Sequence, residues 1–447
     1  LPIFHPGYGF LSENAVFAQK VLDAGLIFVG PPPSSIAAMG DKTEARKLVR
    51  SAGVPTVPGT PDAVRDEHEV VRFANEHGFP ILIKAAAGGG GKGMRIVHEE
   101  KELSAAFKAA QSEALSAFGD PRVYVEKYLE NPRHIEFQIL ADAYGNVVHL
   151  GERECTIQRR HQKVIEETPS VILDAALRER MGAMAVAAAR ACNYQNAGTI
   201  ECLVDRHKNF YFLEMNTRLQ VEHPITEMRT GIDLVHQQLK IAGGEELSFS
   251  QNDISFHGHA IECRIYAEDP YNNFLPSTGT ITHLRPSQGN GIREDRGVEE
   301  GGEISVYYDP LIAKLVAHGR TRDEAIAKMR RALREYEILG VRVNIPFGGS
   351  LTEIASVPLA ARAMLADPYA DKKMPWRRYA IIAGVLVLIG WIGWAKFSTK
   401  QWIWSTEYWE IMRQRWTETA EERDARLAAE KAAAEAKAKP DATPAPQ

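Results

Sequence analysis

Two glutamates, Glu201 and Glu214, lie in apolar runs separated by a short polar turn, and their spacing points to a bound divalent cation. Residues 198–204 and 210–214 read as two strands joined by residues 205–209. If that hairpin pairs symmetrically about its turn, Glu201 falls opposite Glu214. Two carboxylates facing each other across strands repel. A cation removes the penalty, and oxygen ligands of this kind suit magnesium held with nucleotide phosphates. The neighbours Ile200, Leu203 and Leu213 argue against two solvated surface acids. With the second strand continuing through residue 222, alternation puts Glu214, Asn216, Arg218, Gln220 and Glu222 on one face. On that face Asn216 completes the metal shell, Arg218 and Gln220 hold a small oxyanion, and Glu222 serves as a base.

A second set of residues suits phosphate. A β-rich run ending at Lys84 feeds Gly88, Gly89, Gly90, Gly91, Lys92, Gly93 and Met94, and strand character resumes at residues 95–98. Glycines let backbone N–H groups approach phosphate oxygens, and the lysines add charge. The loop is not a P-loop, because Lys92 is followed by glycine and a strand follows instead of a helix. Strand, loop and strand together suggest a flap over the phosphates. The polar, cationic stretch from Gln158 through His161 to Lys163 is ambiguous by itself, an exposed basic turn or part of a site.

The elements that must position these groups come from a mixed chain. The 447 residues are 45% hydrophobic and 25% charged with a net charge of -5, a balance that argues against nucleic-acid binding. Cys155, Cys192, Cys202 and Cys263 show no metal-ligand spacing and read as buried thiols in a reducing compartment. Residues 1–4 read as the end of a buried strand, and a fragment is expected. From residue 1 to about residue 368 strand and helix signals alternate in an α/β or α+β manner. Residues 379–397 then form an apolar run flanked by Arg377, Arg378 and several tryptophans, which reads as a membrane span with the large domain on the cytoplasmic side. A buried core helix is the other reading. An Ala/Glu/Lys-rich tail follows.

Further motifs carry a family resemblance. They are residues 5–14 (HPGYGFLSEN), Met39 to Lys42, the glycine loop, residues 126–134 (EKYLENPRH), 158–163 (QRRHQK), 214–224 (EMNTRLQVEHP), and Glu262-Cys263-Arg264 followed by residues 274–277. In this order they resemble the biotin carboxylase component of biotin-dependent carboxylases. The resemblance implies an α+β ATP-grasp fold. Residues 1–40 would be a remnant of a Rossmann-like N-terminal domain, 41–245 the ATP-grasp domain with its lid at about 56–128, and 246–368 the C-terminal domain. Residues 374–447, with the candidate membrane helix, have no counterpart in it.

The resemblance also implies roles. Lys42 and Lys84 contact ATP phosphates under the glycine lid, and Glu126, Lys127, Leu129, His134, Gln158, His161 and Leu203 form the adenine and ribose pocket. Glu201, Glu214 and Asn216 hold magnesium or manganese. Lys163, Arg218, Gln220, the backbone of Val221 and Glu222 hold bicarbonate, with Glu222 as base. Arg264 stabilises the ureido oxygen of biotin, and Tyr8 lines that pocket. The implied reaction is ATP-dependent carboxylation of carrier-bound biotin, the first half-reaction of acetyl-CoA carboxylase in fatty acid synthesis. Implied partners are a biotin carboxyl carrier protein, carboxyltransferase subunits and a second copy of the chain. The alternatives are a piece of a propionyl-, methylcrotonyl- or pyruvate-type carboxylase, or a membrane-anchored fragment that binds ATP at most. The family's opening strands and helices are missing, so a half-built parallel sheet should expose apolar faces.

Overall fold

The computed structural model describes residues 2–86, 93–159, 162–346 and 348. Gly88, Gly89, Gly90, Gly91, His161 and the candidate membrane span lie outside them. Among the described residues no helix is long and apolar enough to cross a membrane.

An eight-stranded antiparallel sheet forms the centre, in the spatial order Phe210–Asn216, Asn196–Val204, Arg133–Ala141, Val147–Arg159, Gln162–Thr168, His259–Tyr266, Leu311–Gly319 and Ile292–Arg296. Helices cover it where its side chains are apolar. Ala175–Ala191 packs Leu177, Met181, Ala185 and Ala188 against Ile135, Phe137, Ile200 and Cys202. Arg322–Glu335 packs Ala325, Ile326, Met329 and Leu333 onto Ile261, Cys263 and Leu315. Among the described strands the parallel pair is Ile3–Phe4 with Ile27–Phe28, and the other strand pairs are antiparallel, so the α+β description fits better than α/β. All four cysteines are free and buried.

A smaller three-stranded sheet, in the order Arg95–Val97, Ile81–Ala85, Val123–Lys127, has its own apolar core with the helices Glu67–His77 and Leu103–Phe118. The strands flanking the glycine-rich segment pair antiparallel, Ile81 with Val97 and Ile83 with Arg95, as the strand–loop–strand reading requires. Gly93 ends that segment at φ +69°, where a Cβ would lie 2.9 Å from the Ala85 methyl group. Both facts favour glycine.

Three expectations need correction. Ile3–Phe4 is a strand but not a buried one: Ile3 is 52% exposed. Phe10, Leu11, Val16 and Leu22 are exposed beside it in the chain. The hairpin does bring Glu201 opposite Glu214, but not by symmetric pairing. Val204 pairs with Phe210 and Cys202 with Phe212, which would set Leu213 against Glu201; a bulge between Phe212 and Glu214 shifts the register by one residue. Finally, the second strand ends at Asn216. Residues 217–222 turn, and Pro224 opens the helix His223–Thr230. Proline fits the first helical turn, where its missing N–H is not needed. Arg218, Gln220 and Glu222 therefore reach the site from a turn and a helix start, not by strand alternation.

Candidate active site

Cross-strand register builds the site. Glu214, Glu201, Glu136 and Arg153 are successive partners on four neighbouring strands, so they form one row across the sheet. Three adjacent carboxylates would be untenable without cations. Lys163, on the strand Gln162–Thr168, supplies one: its Nζ lies 2.6 Å from Glu136 Oε2, 2.9 Å from Glu201 Oε1 and 2.6 Å from Glu222 Oε1. Arg153 supplies the second, donating from Nε to Glu136 at 2.5 Å. Its two terminal nitrogens donate to Gln138, Thr226, Thr199 and Gln220. Arg264 is the third, donating to Glu222 Oε2 at 2.8 Å and to Glu166 Oε1 at 2.7 Å.

Proton affinities follow from these contacts. Burial opposes the charge on Lys163, but Glu136, Glu201 and Glu222 outweigh it and hold the ammonium well above its ordinary range. Burial would raise Glu222, yet Lys163, Arg264 and Arg153 hold its carboxyl below the usual carboxylate range. Glu201 is depressed in the same way, against burial, by Lys163 and His134. These acids stay ionised, the state a metal ligand or a base needs.

The predicted metal ligands are together in part. Glu201 accepts from Asn216 Nδ2 at 2.8 Å and Gln220 Nε2 at 2.9 Å, and its Oε2 lies 2.8 Å from His134 Nε2. The Glu214 carboxylate pairs instead with Lys42 at 2.8 Å. Two carboxylates and an amide oxygen on paired strands form an oxygen donor set that suits magnesium. Filling it requires Lys42 to release Glu214 and the Asn216 amide to turn its oxygen inward. Among the described residues, His134, Glu136 and Glu201 also place potential ligand atoms within 4.8 Å of one another.

The phosphate and nucleotide candidates are spread over two sheets. Lys42 begins a helix capped by Asp41, whose side chain accepts from Thr43 N and Glu44 N. Lys84 Nζ is 3.0 Å from Glu126, which also pairs with Arg46. Lys127 donates to the carbonyls of Gly78 and Phe79. Gln158 bonds to His134 Nδ1 at 2.7 Å, so those two form one unit next to Glu201. Leu129, Leu203, Val221 and Met94 are half-buried. Tyr8 is exposed, with its ring centroid 5.9 Å from Lys314 Nζ, and Lys314 is the cross-strand partner of Arg264.

Glu136, Arg153, Gln138 and Glu166 are absent from the sequence-based set. A signal existed for two of them: His134, Glu136 and Gln138 alternate with Ile135, Phe137 and Ile139, as a strand with one polar face should. Glu166 has a further neighbour, because its cross-strand partner is Glu262. Both Glu262 oxygens are buried and lack hydrogen-bond partners among the described residues, as does Glu166 Oε2. Burial, then Glu166, pushes the Glu262 carboxyl well above 4.5; burial pushes Glu166 up to about 7. A carboxyl raised in the folded state favours folding at low pH, and that contribution is lost as pH rises above 4.5 toward the folded value. Glu262→Gln is therefore expected to be more stable than the parent by roughly 1–2 kcal/mol at pH 8, with a smaller gain at pH 5. Urea unfolding at both pH values measures this; an equal difference at both would rule out a titrating Glu262.

The comparisons with known proteins agree with one another. Residues 41–250 match the model described as carbamoyl-phosphate synthase L chain, ATP binding domain. Residues 262–360 match the biotin carboxylase C-terminal domain, and residues 2–36 the biotin carboxylase N-terminal domain. A pyruvate carboxylase chain of Methanothermobacter thermautotrophicus is 57% identical over 343 residues, covering 77% of this chain and 70% of that protein. Biotin carboxylase of Halalkalibacterium halodurans is 55% identical, covering 76% and 75% respectively. Among solved structures, the biotin carboxylase domain dimer of Hydrogenobacter thermophilus 2-oxoglutarate carboxylase, in complex with MgADP, ADP and bicarbonate, has a TM-score of 0.76 at 50% identity. That match covers 78% of each chain.

Proposed function

The chain belongs to the biotin carboxylase family, and from that premise we propose that it uses ATP and bicarbonate to carboxylate biotin on a carrier protein. The observation that carries the proposal is the cluster of Lys163 under Glu136, Glu201 and Glu222, with Arg264 on the far oxygen of Glu222. Phosphoryl transfer to a weak nucleophile needs positioning and charge balance more than covalent help. Lys42 and Lys84 bind the ATP phosphates beneath the lid formed by Gly88, Gly89, Gly90, Gly91, Gly93 and Met94. Glu126, Lys127, Leu129, His134, Gln158, His161 and Leu203 enclose the nucleoside. Glu201, Glu214 and Asn216 hold magnesium or manganese, which when bound neutralises phosphate charge.

Bicarbonate lies between Lys163, Arg218, Gln220, the Val221 backbone and Glu222. In the resting site Glu222 shares two cations and holds a proton weakly. An anion competing for those cations raises its proton affinity, so Glu222 becomes a base when substrate arrives. The deprotonated bicarbonate attacks the γ-phosphoryl group to give ADP and carboxyphosphate. Carboxyphosphate then splits into carbon dioxide and phosphate beside biotin. Arg264, with Tyr8 near its cross-strand neighbour, stabilises the charge that develops on the ureido oxygen; its planar fork suits that role better than a lysine would.

The acyl acceptor is a finer matter. The relatives' names include pyruvate carboxylase and 2-oxoglutarate carboxylase as well as biotin carboxylase itself. We favour the acetyl-CoA carboxylase half-reaction with a separate carrier protein and carboxyltransferase. Relatives named biotin carboxylase are 53–55% identical to this chain, propionyl-CoA carboxylase alpha chains 52–53% and a pyruvate carboxylase subunit 57%, so identity alone does not choose the acceptor. The Hydrogenobacter relative, a domain dimer, supports a homodimer here. The three family matches support the division into residues 1–40, 41–245 and 246–368. ATP hydrolysis that needs bicarbonate, magnesium and free biotin together is the expected result for the purified chain. Hydrolysis indifferent to biotin, in a chain shown to be folded, would leave only nucleotide binding.

A further inference from the structure

The motif at residues 5–14 is one of the strongest sequence signals, yet the reaction above uses only Tyr8 from it. Its other residues fasten it down. His5 Nε2 lies 3.2 Å from Gln238 Oε1, and His5 Nδ1 accepts from Gly7 N at 3.0 Å. Ser12 donates to the Gly9 carbonyl at 2.6 Å, and Asn14 caps the next helix by accepting from Phe17 N. Glu13 reaches farthest. Its Oε2 accepts from Arg218 Nε at 2.8 Å, and its Oε1 accepts from Thr217 N at 2.9 Å.

We propose that Glu13 is a positioning residue for bicarbonate, fixing the Arg218 guanidinium and the turn that carries it. The geometry gives the reason. Arg218 follows the end of its strand at Asn216, so no sheet pairing holds its backbone. Thr217 is buried, and its amide is satisfied by Glu13 rather than by a neighbouring strand. A guanidinium has five N–H donors. Nε is taken by Glu13, one N–H by the Leu219 carbonyl at 3.2 Å and one by Asn216 Oδ1 at 3.3 Å. Among the described residues nothing takes the other two donors, one on each terminal nitrogen, which can grip a planar oxyanion. Without Glu13 the long side chain recovers its rotamer freedom and binding must order it again.

The inference rests on the proposed binding of bicarbonate by Arg218, and the tests separate the two. In Glu13→Gln the Thr217 amide keeps an acceptor while Arg218 loses its charged partner. Its KM for bicarbonate is expected to rise about tenfold, with the KM for ATP and the melting temperature nearly unchanged. In an Arg218→Ala background the same change should add nothing, because the group it positions is gone. Equal rises in both KM values, or full additivity with Arg218→Ala, would overturn the positioning role. Crystal structures of Glu13→Gln and Glu13→Ala read the claim without turnover: a displaced Arg218 is expected, and an unmoved one refutes it. Failure of the functional reading would show differently, as absence of bicarbonate-dependent turnover in the parent chain.

Discussion

Replacing Lys163 with methionine is expected to reduce biotin-dependent ATP turnover by at least about a hundredfold, the scale for removing one preorganised charge donor from an active site. The nitrogen is the common partner of Glu136, Glu201 and Glu222. Without it the proposed bicarbonate site carries net negative charge and repels its anionic substrate. The same change should destabilise the fold, by about 3–5 kcal/mol, because it takes the shared cation away from three buried carboxylates. That deficit has a pH signature. In the parent, Glu201 and Glu222 are depressed below 4.5, so their contribution is present above pH 4.5 and lost as pH falls through the folded values. In the variant these acids are buried without their shared cation and lose stability as pH rises. The difference between the proteins must therefore widen from pH 5 to pH 7.5. Urea unfolding at the two pH values tests the sign, and ATP binding monitored in parallel separates loss of chemistry from loss of fold. A variant with normal turnover would remove Lys163 from the mechanism.

How much of this site was legible in the sequence depended on how local its geometry is. Glu201 and Glu214 flank a five-residue turn, so facing strands could be read directly, although the bulge before Glu214 that makes them partners could not. The motifs around Lys163 and Arg264 marked those residues but not their shared partner: Glu222 links them through contacts 59 and 42 residues apart in the chain. Glu136 and Arg153 were hidden differently. Glu136 lies between buried Ile135 and Phe137, and Arg153 between the buried acids Glu152 and Glu154; neither charge has a visible purpose until register places it beside its partners. The alternation of residues 134–138 did signal a polar face. Pro224 signalled the other error, since a proline there favours a helix start over a continuing strand. The exposure of Ile3 and Phe4 had no local signature, because it depends on which strands lie next to theirs.

Arg153 should matter to stability as much as Lys163 does. Its side chain is fully buried and donates to five groups, on neighbouring strands and in the segment after Asn216: Glu136, Gln138, Thr226, Thr199 and Gln220. Burial disfavours its charge, but Glu136 and then Glu222 hold its proton affinity above the ordinary arginine value. Truncation to methionine fills much of the volume yet leaves these acceptors unsatisfied and Glu136 with one cation fewer. The expected cost is about 3–5 kcal/mol, the range for breaking a buried ion pair from one side. Arg153→Lys should recover only part of it, because one ammonium cannot reproduce a planar fork that reaches five partners. The decisive comparison is Arg153→Met with Glu136→Gln. Neutralising Glu136 removes the charge that Arg153 chiefly balances, so the double variant should be more stable than Arg153→Met alone, a coupling of about 1–3 kcal/mol. Activity should not return with stability, since Lys163 then loses one of its three carboxylates and its position over Glu222. Additive unfolding energies would mean that Arg153 acts through packing alone and does not balance the buried charge.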